Sequence, residues 1–265
     1  MDWRGPSDGR GGGDARFGLR SEMSKALRTL GVIPARLAST RLPLKVLREL
    51  AGKPLLAWVV EAAQTCPQLD RVLVATDSNE VVALCEARGI EVELTSPELP
   101  SGTDRVHAIA QKMDAEVYVN IQGDEPLLRP EHIAALLKPF ARADVDVTTL
   151  KVRCAPENIG NPNAVKVVTA ADGRALYFSR ATIPYDRDGV SPEYWKHIGL
   201  YAYRKSALER FPSLPMSGLE VIERLEQLRF LENGLSVYVE ATEHDTVGVD
   251  TEADLQLVEK LLRAR

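Results

Sequence analysis

The chain has 265 residues, of which 45% are hydrophobic, which is enough for one large domain or two small ones with a real core. Its formal net charge of -5 and its pI of about 5.5 argue against a nucleic-acid-binding surface, and no apolar run approaches membrane-spanning length. The three cysteines, Cys66, Cys85 and Cys154, are scattered and lack CxxC spacing, so they indicate neither a disulfide framework nor a zinc site. Reduced thiols of this kind fit a cytoplasmic protein.

The first part of the chain differs from the rest in composition. Residues 1–28 are rich in Gly, Arg and Asp, show no apolar periodicity and lack the apolar core of a secretory signal. Such a segment cannot bury enough apolar surface to fold. We therefore expect a disordered N-terminal extension over 1–28 and a single domain over 29–265.

From Leu30 onward, strand-like segments alternate with helix-like segments. The predicted strands are LGVIP, RVLVAT, IEVEL and EVYVNI. Each is followed by a predicted helix: the first is opened by Gly52-Lys53-Pro54 and runs through Ala63, and the second has a capping box of Asp77 and Glu80 and ends at Gly89. The third covers SGTDRVHAIAQKM, and the fourth, RPEHIAALLKPF, is opened by Pro130. Alternation of this kind implies βαβ crossovers. The fold class predicted is therefore α/β, with a doubly wound, mainly parallel sheet and helices on both faces.

The pattern changes after Val145, where strand-like segments follow one another. These are VDVTTLKV, AVKVVT, RALYF and HIGLYAYR, with Asp172-Gly173 as a hairpin turn between the second and the third. They predict a β-rich insertion at about 145–204 on the parallel core. A helix over about Leu219–Leu231, a strand LSVYVE and a helix capped by Thr251 complete the chain.

A basic loop joins the first predicted strand to the helix that follows. It carries Arg36, Arg41 and Lys45, with Ser39 and Thr40 between them. Guanidinium groups bind phosphate oxygens in pairs and free backbone N–H groups add to such a cradle, so the loop is suited to a polyphosphate. It matches neither Walker A nor GxGxxG, and a solvated basic loop is the alternative.

Two carboxylates, Asp124 and Glu125, come directly after a predicted central strand that Gly123 ends. Open α/β sheets bind ligands at the carboxyl ends of their strands, and neighbouring carboxylates repel one another unless a cation lies between them. A divalent metal is therefore the natural partner. The alternative is a solvated turn, because Gly-Asp is ordinary turn chemistry.

A further carboxylate, Asp250, precedes the last predicted helix in TVGVDTEADL. Asp in that position is good helix-start chemistry. If it instead meets Asp124 across the sheet crevice, the two complete a magnesium site with phosphate oxygens and waters, since magnesium commonly takes only one or two protein carboxylates.

Three more residues suit an anionic, polyhydroxylated ligand. Arg180 in FSRATIPY is able to pair with a carboxylate, and His197 and Glu223 are able to bind hydroxyl groups. For each of them a structural role, as a hydrogen-bonded strand residue or a solvated helix face, is an equally good explanation.

Taken together, a series of motifs from about Leu30 to the C-terminus resembles the 3-deoxy-manno-octulosonate cytidylyltransferase (CMP-KDO synthetase) family. The motifs are PARLASTRLPLK, GKPLL, VATD, SGTDR, VNIQGDEP, NPNAVKVV, ALYFSRATIPYDRD, HIGLYAYR, LEVIERLEQLRFL and GVDTEADL. The resemblance implies a nucleotide-diphospho-sugar transferase-like fold and transfer of CMP from CTP to 3-deoxy-D-manno-octulosonate (KDO) for lipopolysaccharide synthesis. It also implies release of pyrophosphate, a requirement for Mg²⁺, a cytoplasmic location and a homodimer.

The resemblance assigns roles to particular residues. Those implied for catalysis are Arg41, Lys45, Asp124 and Asp250, with the two aspartates as metal ligands. Those implied for CTP are Pro34, Ala35, Arg36, Arg41, Lys45, Ser101, Gly102 and Arg105, and those implied for KDO are Gln122, Arg180, Tyr185, His197 and Glu223. The alternatives are a cytidylyltransferase for another sugar acid, such as 8-amino-KDO or a sialic acid, and a catalytically silent nucleotide-binding module.

The first loop departs from the family pattern. The family usually reads RLPGKPL, whereas this chain reads RLPLKVL, with Leu44 in place of Gly and Val46 in place of Pro. If that position needs a positive φ, Leu44 is strained or the loop takes a different path.

Overall fold

The computed structural model describes residues 27–37 and 42–264. In chain order, its helices and strands are β1 (Leu27–Ala35), β2 (Glu49–Leu50), β3 (Lys53–Pro54), α1 (Leu55–Gln64), β4 (Arg71–Thr76), α2 (Asn79–Ala87), β5 (Val92–Leu94), α3 (Gly102–Ala110), β6 (Ala115–Asn120), α4 (Pro130–Leu137), β7 (Val147–Arg153), β8 (Lys166–Thr169), β9 (Ala175–Ser179), β10 (Trp195–Arg204), α5 (Lys205–Arg210), α6 (Gly218–Glu223), α7 (Gln227–Glu232), β11 (Val237–Ala241) and α8 (Glu252–Arg263). Short 3-10 helices cover Lys45–Leu47, Lys138–Ala141, Pro156–Asn158 and Phe211–Ser213. The predicted N-terminal extension lies outside the described residues, except for its last two residues, which belong to β1.

The main sheet has the strand order β11-β7-β10-β6-β1-β4-β5. Its neighbours are parallel except for β10, which runs antiparallel to both β6 and β7. The sheet is mostly parallel and carries helices on both faces, so the predicted fold class is confirmed. No described helix combines the length and the apolar character needed to cross a bilayer.

Two hydrophobic clusters cover the two faces of the sheet. The alternation of side chains along β1 divides them, since Ile33 belongs to one cluster and Leu30 and Val32 to the other. The first cluster receives residues of α1, α2, α4 and α8, and the second receives residues of α3, α5, α7 and the β8–β9 hairpin. Burial on both faces explains why the central strands read as almost continuous apolar runs.

The strands predicted as an insertion join the main sheet in two ways. β7 and β10 lie within the sheet itself, while β8 and β9 form a hairpin that branches from β10. The predicted turn at Asp172-Gly173 connects the hairpin, with Gly173 at φ 87°.

Two predicted local features are wrong. The cap of α2 is Ser78 and not Asp77, because Ser78 accepts hydrogen bonds from the backbone of the first turn, whereas Asp77 is an ion-pair partner of Arg105 at 2.8 Å. The helix predicted over Leu219–Leu231 is interrupted, because Arg224 has φ 52° and separates α6 from α7.

Candidate active site

The carboxyl ends of β1 and β6 approach each other very closely. A Cβ atom at position 123 would lie 2.8 Å from the carbonyl oxygen of Pro34, so only glycine fits there. Because Gly123 lets the backbone after β6 touch the backbone at the end of β1, Asp124 is held directly beside the end of β1. This explains why the acidic pair follows a glycine in the sequence.

The segment after β11 brings Asp250 to the same place. It leaves the edge of the sheet at Thr242, whose N–H donates to Lys151 of β7, and it passes β10 at the ion pair between Asp245 and Lys196. It reaches the end of β6 where the N–H of Val249 donates to the carbonyl of Asp124 at 2.9 Å. The two aspartates, 126 positions apart in the sequence, therefore meet at one edge of the sheet.

Lys45 lies between these two carboxylates. Its Nζ is 2.5 Å from Asp124 Oδ2 and 2.9 Å from Asp250 Oδ1. Burial alone would lower the pKa of the ammonium, but the charges and hydrogen bonds of Asp124 and Asp250 outweigh it and raise the pKa above its ordinary value. The structure thus holds one positive charge between two converging carboxylates.

Leu44, immediately before this lysine, has φ 55° and ψ 28°. Leu44 therefore lies in the left-handed region and carries the strain of that conformation. Arg41, the other residue of this loop predicted to bind the triphosphate with Lys45, lies outside the described residues.

The donor set fits a divalent cation that also binds phosphate. The described residues contain no cluster of three or more His, Cys, Asp and Glu side chains able to ligate a metal. Asp124 and Asp250 nevertheless converge on the ammonium of Lys45, and magnesium is commonly held by two carboxylates when phosphates and waters supply the remaining oxygens. The two residues are suited to that arrangement.

Several of the described residues predicted for the nucleotide lie at or near the end of β1. Pro34 lies 3.7 Å from the position of a Cβ on Gly102, the first residue of α3, and Ser101 caps that helix. Ala35 is buried and its carbonyl accepts a hydrogen bond from Thr76. The Nη2 of Arg36 is buried and finds no hydrogen-bond partner among the described residues. A helix N-terminus beside an underused guanidinium favours an anion here.

Arg105 differs from its neighbours because its side chain is completely buried. Its guanidinium pairs with Asp77 at 2.8 Å and also donates to Thr95 Oγ1. Arg105 therefore contacts protein groups, and it ties α3 to the loops after β4 and β5.

A polar cavity of about 630 Å³ opens beside the aspartates. Three predicted residues, Arg180, His197 and Asp250, line it. The other lining residues are Glu125, Asn161, Asn163, Val165, Lys196, Ile198, Gly199, Thr246, Gly248, Thr251 and Asp254. A cavity this polar suits a ligand rich in hydroxyl and carboxylate groups.

Arg180 uses much of its guanidinium to hold the backbone around the cavity. Nε donates to the carbonyl of Glu223 at 2.7 Å, Nη1 to that of Pro162 at 3.0 Å and Nη2 to that of Arg224 at 3.3 Å. A guanidinium has five N–H groups, so two remain for a ligand. Arg180 is thus placed both to brace the wall and to bind an anion.

His197 is neutral in this setting. Burial, assisted by the charge of Lys196, lowers its pKa to about 3. Its Nε2 lies 2.8 Å from Thr149 Oγ1, and the single proton of that hydroxyl is directed to backbone carbonyls. With the hydroxyl proton on a carbonyl, Nε2 carries the ring proton and Nδ1 is left as a hydrogen-bond acceptor.

Three residues predicted for the sugar do not line the cavity. Tyr185 is 86% exposed, and Gln122 donates to Asn120 at 3.3 Å. Glu223 accepts hydrogen bonds from Ser179 Oγ at 2.6 Å and from the backbone of Arg180 at 3.0 Å. Burial would raise the pKa of Glu223, but these hydrogen bonds outweigh it and lower the pKa. In this arrangement Glu223 positions Arg180.

Known proteins share the sequence and the fold of this chain. A model of the family described as cytidylyltransferase matches residues 30–241. The 3-deoxy-manno-octulosonate cytidylyltransferase of Acidobacterium capsulatum is 61% identical over 241 residues, which are 91% of this chain and 98% of that protein. The chain belongs to the 3-deoxy-manno-octulosonate cytidylyltransferase family.

Two further relatives agree with this placement. The enzyme of the same name from Koribacter versatilis is 57% identical, over 90% of this chain and 92% of that protein. A solved CMP:2-keto-3-deoxy-manno-octonic acid synthetase complexed with CTP is 38% identical, with a TM-score of 0.87 over 89% of this chain and 99% of that one. The cytidylyltransferase therefore has the nucleotide-diphospho-sugar transferase fold that the sequence predicted.

Glu125 is a residue of this cytidylyltransferase that sequence reasoning missed as a site residue. It lines the cavity, is only 9% exposed, and its Oε2 has no hydrogen-bond partner among the described residues. Burial and the charge of Asp124 raise its pKa to about 8. Its position next to Asp124 after a central strand was the available signal, because the apolar run predicts burial there.

Replacing Glu125 by Gln is expected to change how the stability of the cytidylyltransferase depends on pH. A carboxyl whose pKa is raised to about 8 in the folded state binds more protons folded than unfolded, so wild-type stability should fall as pH rises from about 4.5 to about 8. Glutamine has no such proton to lose. At pH 8.5 we expect Glu125→Gln to unfold at a higher temperature than the wild type. Each kcal/mol gained in the free energy of unfolding should raise that temperature by about 2–4 °C.

Thermal unfolding of the ligand-free protein between pH 5 and 9 measures this. Glu98→Gln is the matched control, because Glu98 is exposed and the substitution changes the net charge equally. Parallel pH profiles for the wild type and Glu125→Gln would contradict the assignment.

Proposed function

We propose that the chain transfers CMP from CTP to KDO, releases pyrophosphate and forms CMP-KDO for lipopolysaccharide synthesis. The observation that carries the proposal is the convergence of Lys45, Asp124 and Asp250 beside a polar cavity, in a chain 61% identical to a 3-deoxy-manno-octulosonate cytidylyltransferase over nearly the whole of that protein. The solved relative complexed with CTP, at 38% identity, supports the nucleotide half of the proposal.

The nucleotide side is built to hold a triphosphate. Arg36 and Lys45 bring positive charge to the end of β1, and the N-terminus of α3 adds the positive end of a helix dipole. We infer that Lys45 binds the phosphates that leave as pyrophosphate, together with Arg41 of the same loop. Neutralised charge matters here because phosphoryl-type transfer depends mainly on alignment and electrostatic stabilisation.

The sugar side is built to orient an acidic polyol. The anomeric hydroxyl oxygen of KDO attacks the α-phosphorus of CTP, and the bond from that phosphorus to the pyrophosphate oxygen breaks. Arg180 offers N–H groups for the sugar carboxylate, and His197 offers an acceptor for a hydroxyl. Gln122 and Tyr185 stay predicted contacts, for which closure of the site around the substrate would be required.

Asp124 and Asp250 would hold Mg²⁺. Bound there, the ion would supply Lewis-acid polarisation of phosphate oxygens and a lowered pKa for the attacking hydroxyl, so that no strong general base is needed. The two aspartates supply the negative charge that fixes such a cation at the junction of the nucleotide loop and the cavity. Lys45, which now pairs with both, would be released to the triphosphate.

An assay of pyrophosphate release tests the proposed function. The protein is incubated with CTP and Mg²⁺ and, in separate reactions, with KDO, 8-amino-KDO or a sialic acid. We expect release with KDO to exceed release with each of the others. Greater release with another acid would reassign the substrate, and no release with any acid would indicate a nucleotide-binding module without turnover.

We also propose that the protein is a cytoplasmic homodimer. The supporting feature is a group of exposed apolar side chains on and beside α6, namely Met216, Val221 and Ile222. The neighbouring α7 is less suited to an interface, because its Leu228 and Phe230 are buried in the core. Sedimentation of the wild type and of Ile222→Glu tests this, with a monomeric wild type as the contrary result.

A further inference from the structure

Lys166 is a fully buried lysine at the start of β8, close to the cavity wall. Its Nζ donates to the carbonyls of Asn161 at 2.8 Å and Ala164 at 2.6 Å. Among the described residues, no carboxylate lies within ion-pair distance of it. Burial lowers the pKa of this ammonium, and a buried cation without an anionic partner is costly. The two carbonyl groups therefore supply the hydrogen bonds that hold the Lys166 ammonium in the interior.

They fix the segment 161–165, which we call the wall loop. Within it, the N–H of Asn163 donates to Asn161 Oδ1 at 2.9 Å and the N–H of Ala164 donates to the carbonyl of Asn161 at 3.1 Å. Arg180 Nη1 binds the carbonyl of Pro162 at 3.0 Å. Three carbonyls of the wall loop thus receive a hydrogen bond from a cation, two of them from Lys166.

The wall loop forms part of the cavity that contains Arg180, His197 and Asp250. Asn161, Asn163 and Val165 line that cavity. Asn163 is exposed, and its side-chain amide offers two donors and an acceptor. An amide of this kind complements sugar hydroxyl groups, each of which both donates and accepts.

We propose that Lys166 is a positioning residue for the sugar acid, and that it holds the wall loop so that the amide of Asn163 binds substrate hydroxyls. The inference rests on the proposed function and refines it, because it assigns sugar recognition to a segment on which no role has been placed. The described residues assigned to CTP do not line this cavity, so the wall loop should affect one substrate only.

Steady-state kinetics with KDO and CTP varied separately test the proposal. We expect Asn163→Ala to raise the KM for KDO by about 2–10-fold, the value of one hydrogen bond, with the KM for CTP unchanged. We expect Lys166→Met to raise it further, by about tenfold or more, because the whole loop loses its anchor. The double variant should be no worse than Lys166→Met alone, since Asn163 is useful only while the loop is held.

Lys151→Met is the matched control. Lys151 is also a lysine whose pKa is lowered by burial, but it donates to Thr169 in the sheet and does not line the cavity. Its kinetics should resemble those of the wild type.

The outcomes separate the two proposals. Wild-type kinetics for Asn163→Ala, or equal increases in both KM values, would overturn the role of the wall loop, and Asn163→Ala alone decides if Lys166→Met fails to fold. Failure of the wild type to release pyrophosphate with KDO would instead overturn the proposed function.

Discussion

Replacing Asp124 by Asn is expected to lower the kcat for CMP transfer by about 10²–10³-fold, the usual effect of removing one preorganised electrostatic partner. Asparagine keeps the size of the side chain and the backbone contact with Val249, so the fold should persist. What is lost is one of the two charges that converge at the end of β6. Turnover at saturating CTP, KDO and Mg²⁺ measures the effect, and circular dichroism checks the fold.

The control is Asp144→Asn, which removes the same charge from an exposed ion pair with Arg142, away from the site. An exposed pair of this kind contributes little to stability, and its loss should leave turnover unchanged. Wild-type turnover in Asp124→Asn would count against any catalytic role for the charge of Asp124.

Replacing Lys45 by Met is expected to raise the affinity for Mn²⁺ and to lower the affinity for CTP. In the ligand-free protein the ammonium of Lys45 lies between Asp124 and Asp250, so a divalent cation must compete with it. The apparent affinity of a site falls in proportion to the fraction of molecules in which it is open. Replacing Lys45 removes this competing ammonium, and we expect Mn²⁺ to bind more tightly, by about tenfold, in the absence of nucleotide. CTP should bind more weakly, because its triphosphate loses a cation.

Titration of Mn²⁺ into nucleotide-free protein, followed by electron paramagnetic resonance, measures the first effect, and calorimetric titration of CTP measures the second. Lys112→Met is the control, since Lys112 pairs with Glu93 on the surface and its loss changes the net charge equally. Unchanged or weaker Mn²⁺ binding in Lys45→Met would show that the lysine and the cation do not share the two carboxylates.

The order of strands and helices was predictable because a strand that is buried on both faces consists mainly of apolar residues. β1, β4 and β6 are covered on both faces and therefore read as apolar runs, and Pro130 and Thr251 mark helix starts. The interruption at Arg224 was not predictable, because the carbonyls of Glu223 and Arg224 are bound there by Arg180, which lies 44 residues before Arg224 in the sequence. Local propensity carries no record of such a contact.

The sequence suggested that Asp124 and Asp250 meet at one edge of the sheet, because each of them follows a predicted strand. The position of Lys45 between them was not, because the sequence suggested phosphate as the partner of that lysine. The roles of Glu125 and the wall loop were also hidden. The burial of Glu125 depends on β10 and on the segment after β11, which bring Lys196, Gly199 and Thr246 to it. The hydrogen bonds from Lys166 to the carbonyls of Asn161 and Ala164 depend on how the wall loop folds, and no short motif records either arrangement.

The central claim is that Asp124 and Asp250 hold one divalent ion together in the nucleotide-bound protein. Mn²⁺ titration of the CTP-saturated wild type, Asp124→Asn, Asp250→Asn and the double variant tests it most directly. If the ion is shared, each single substitution should weaken Mn²⁺ binding by about tenfold or more, and the double substitution should weaken it by much less than the product of the two. Unchanged binding in either single variant, or fully multiplicative losses, would contradict the claim.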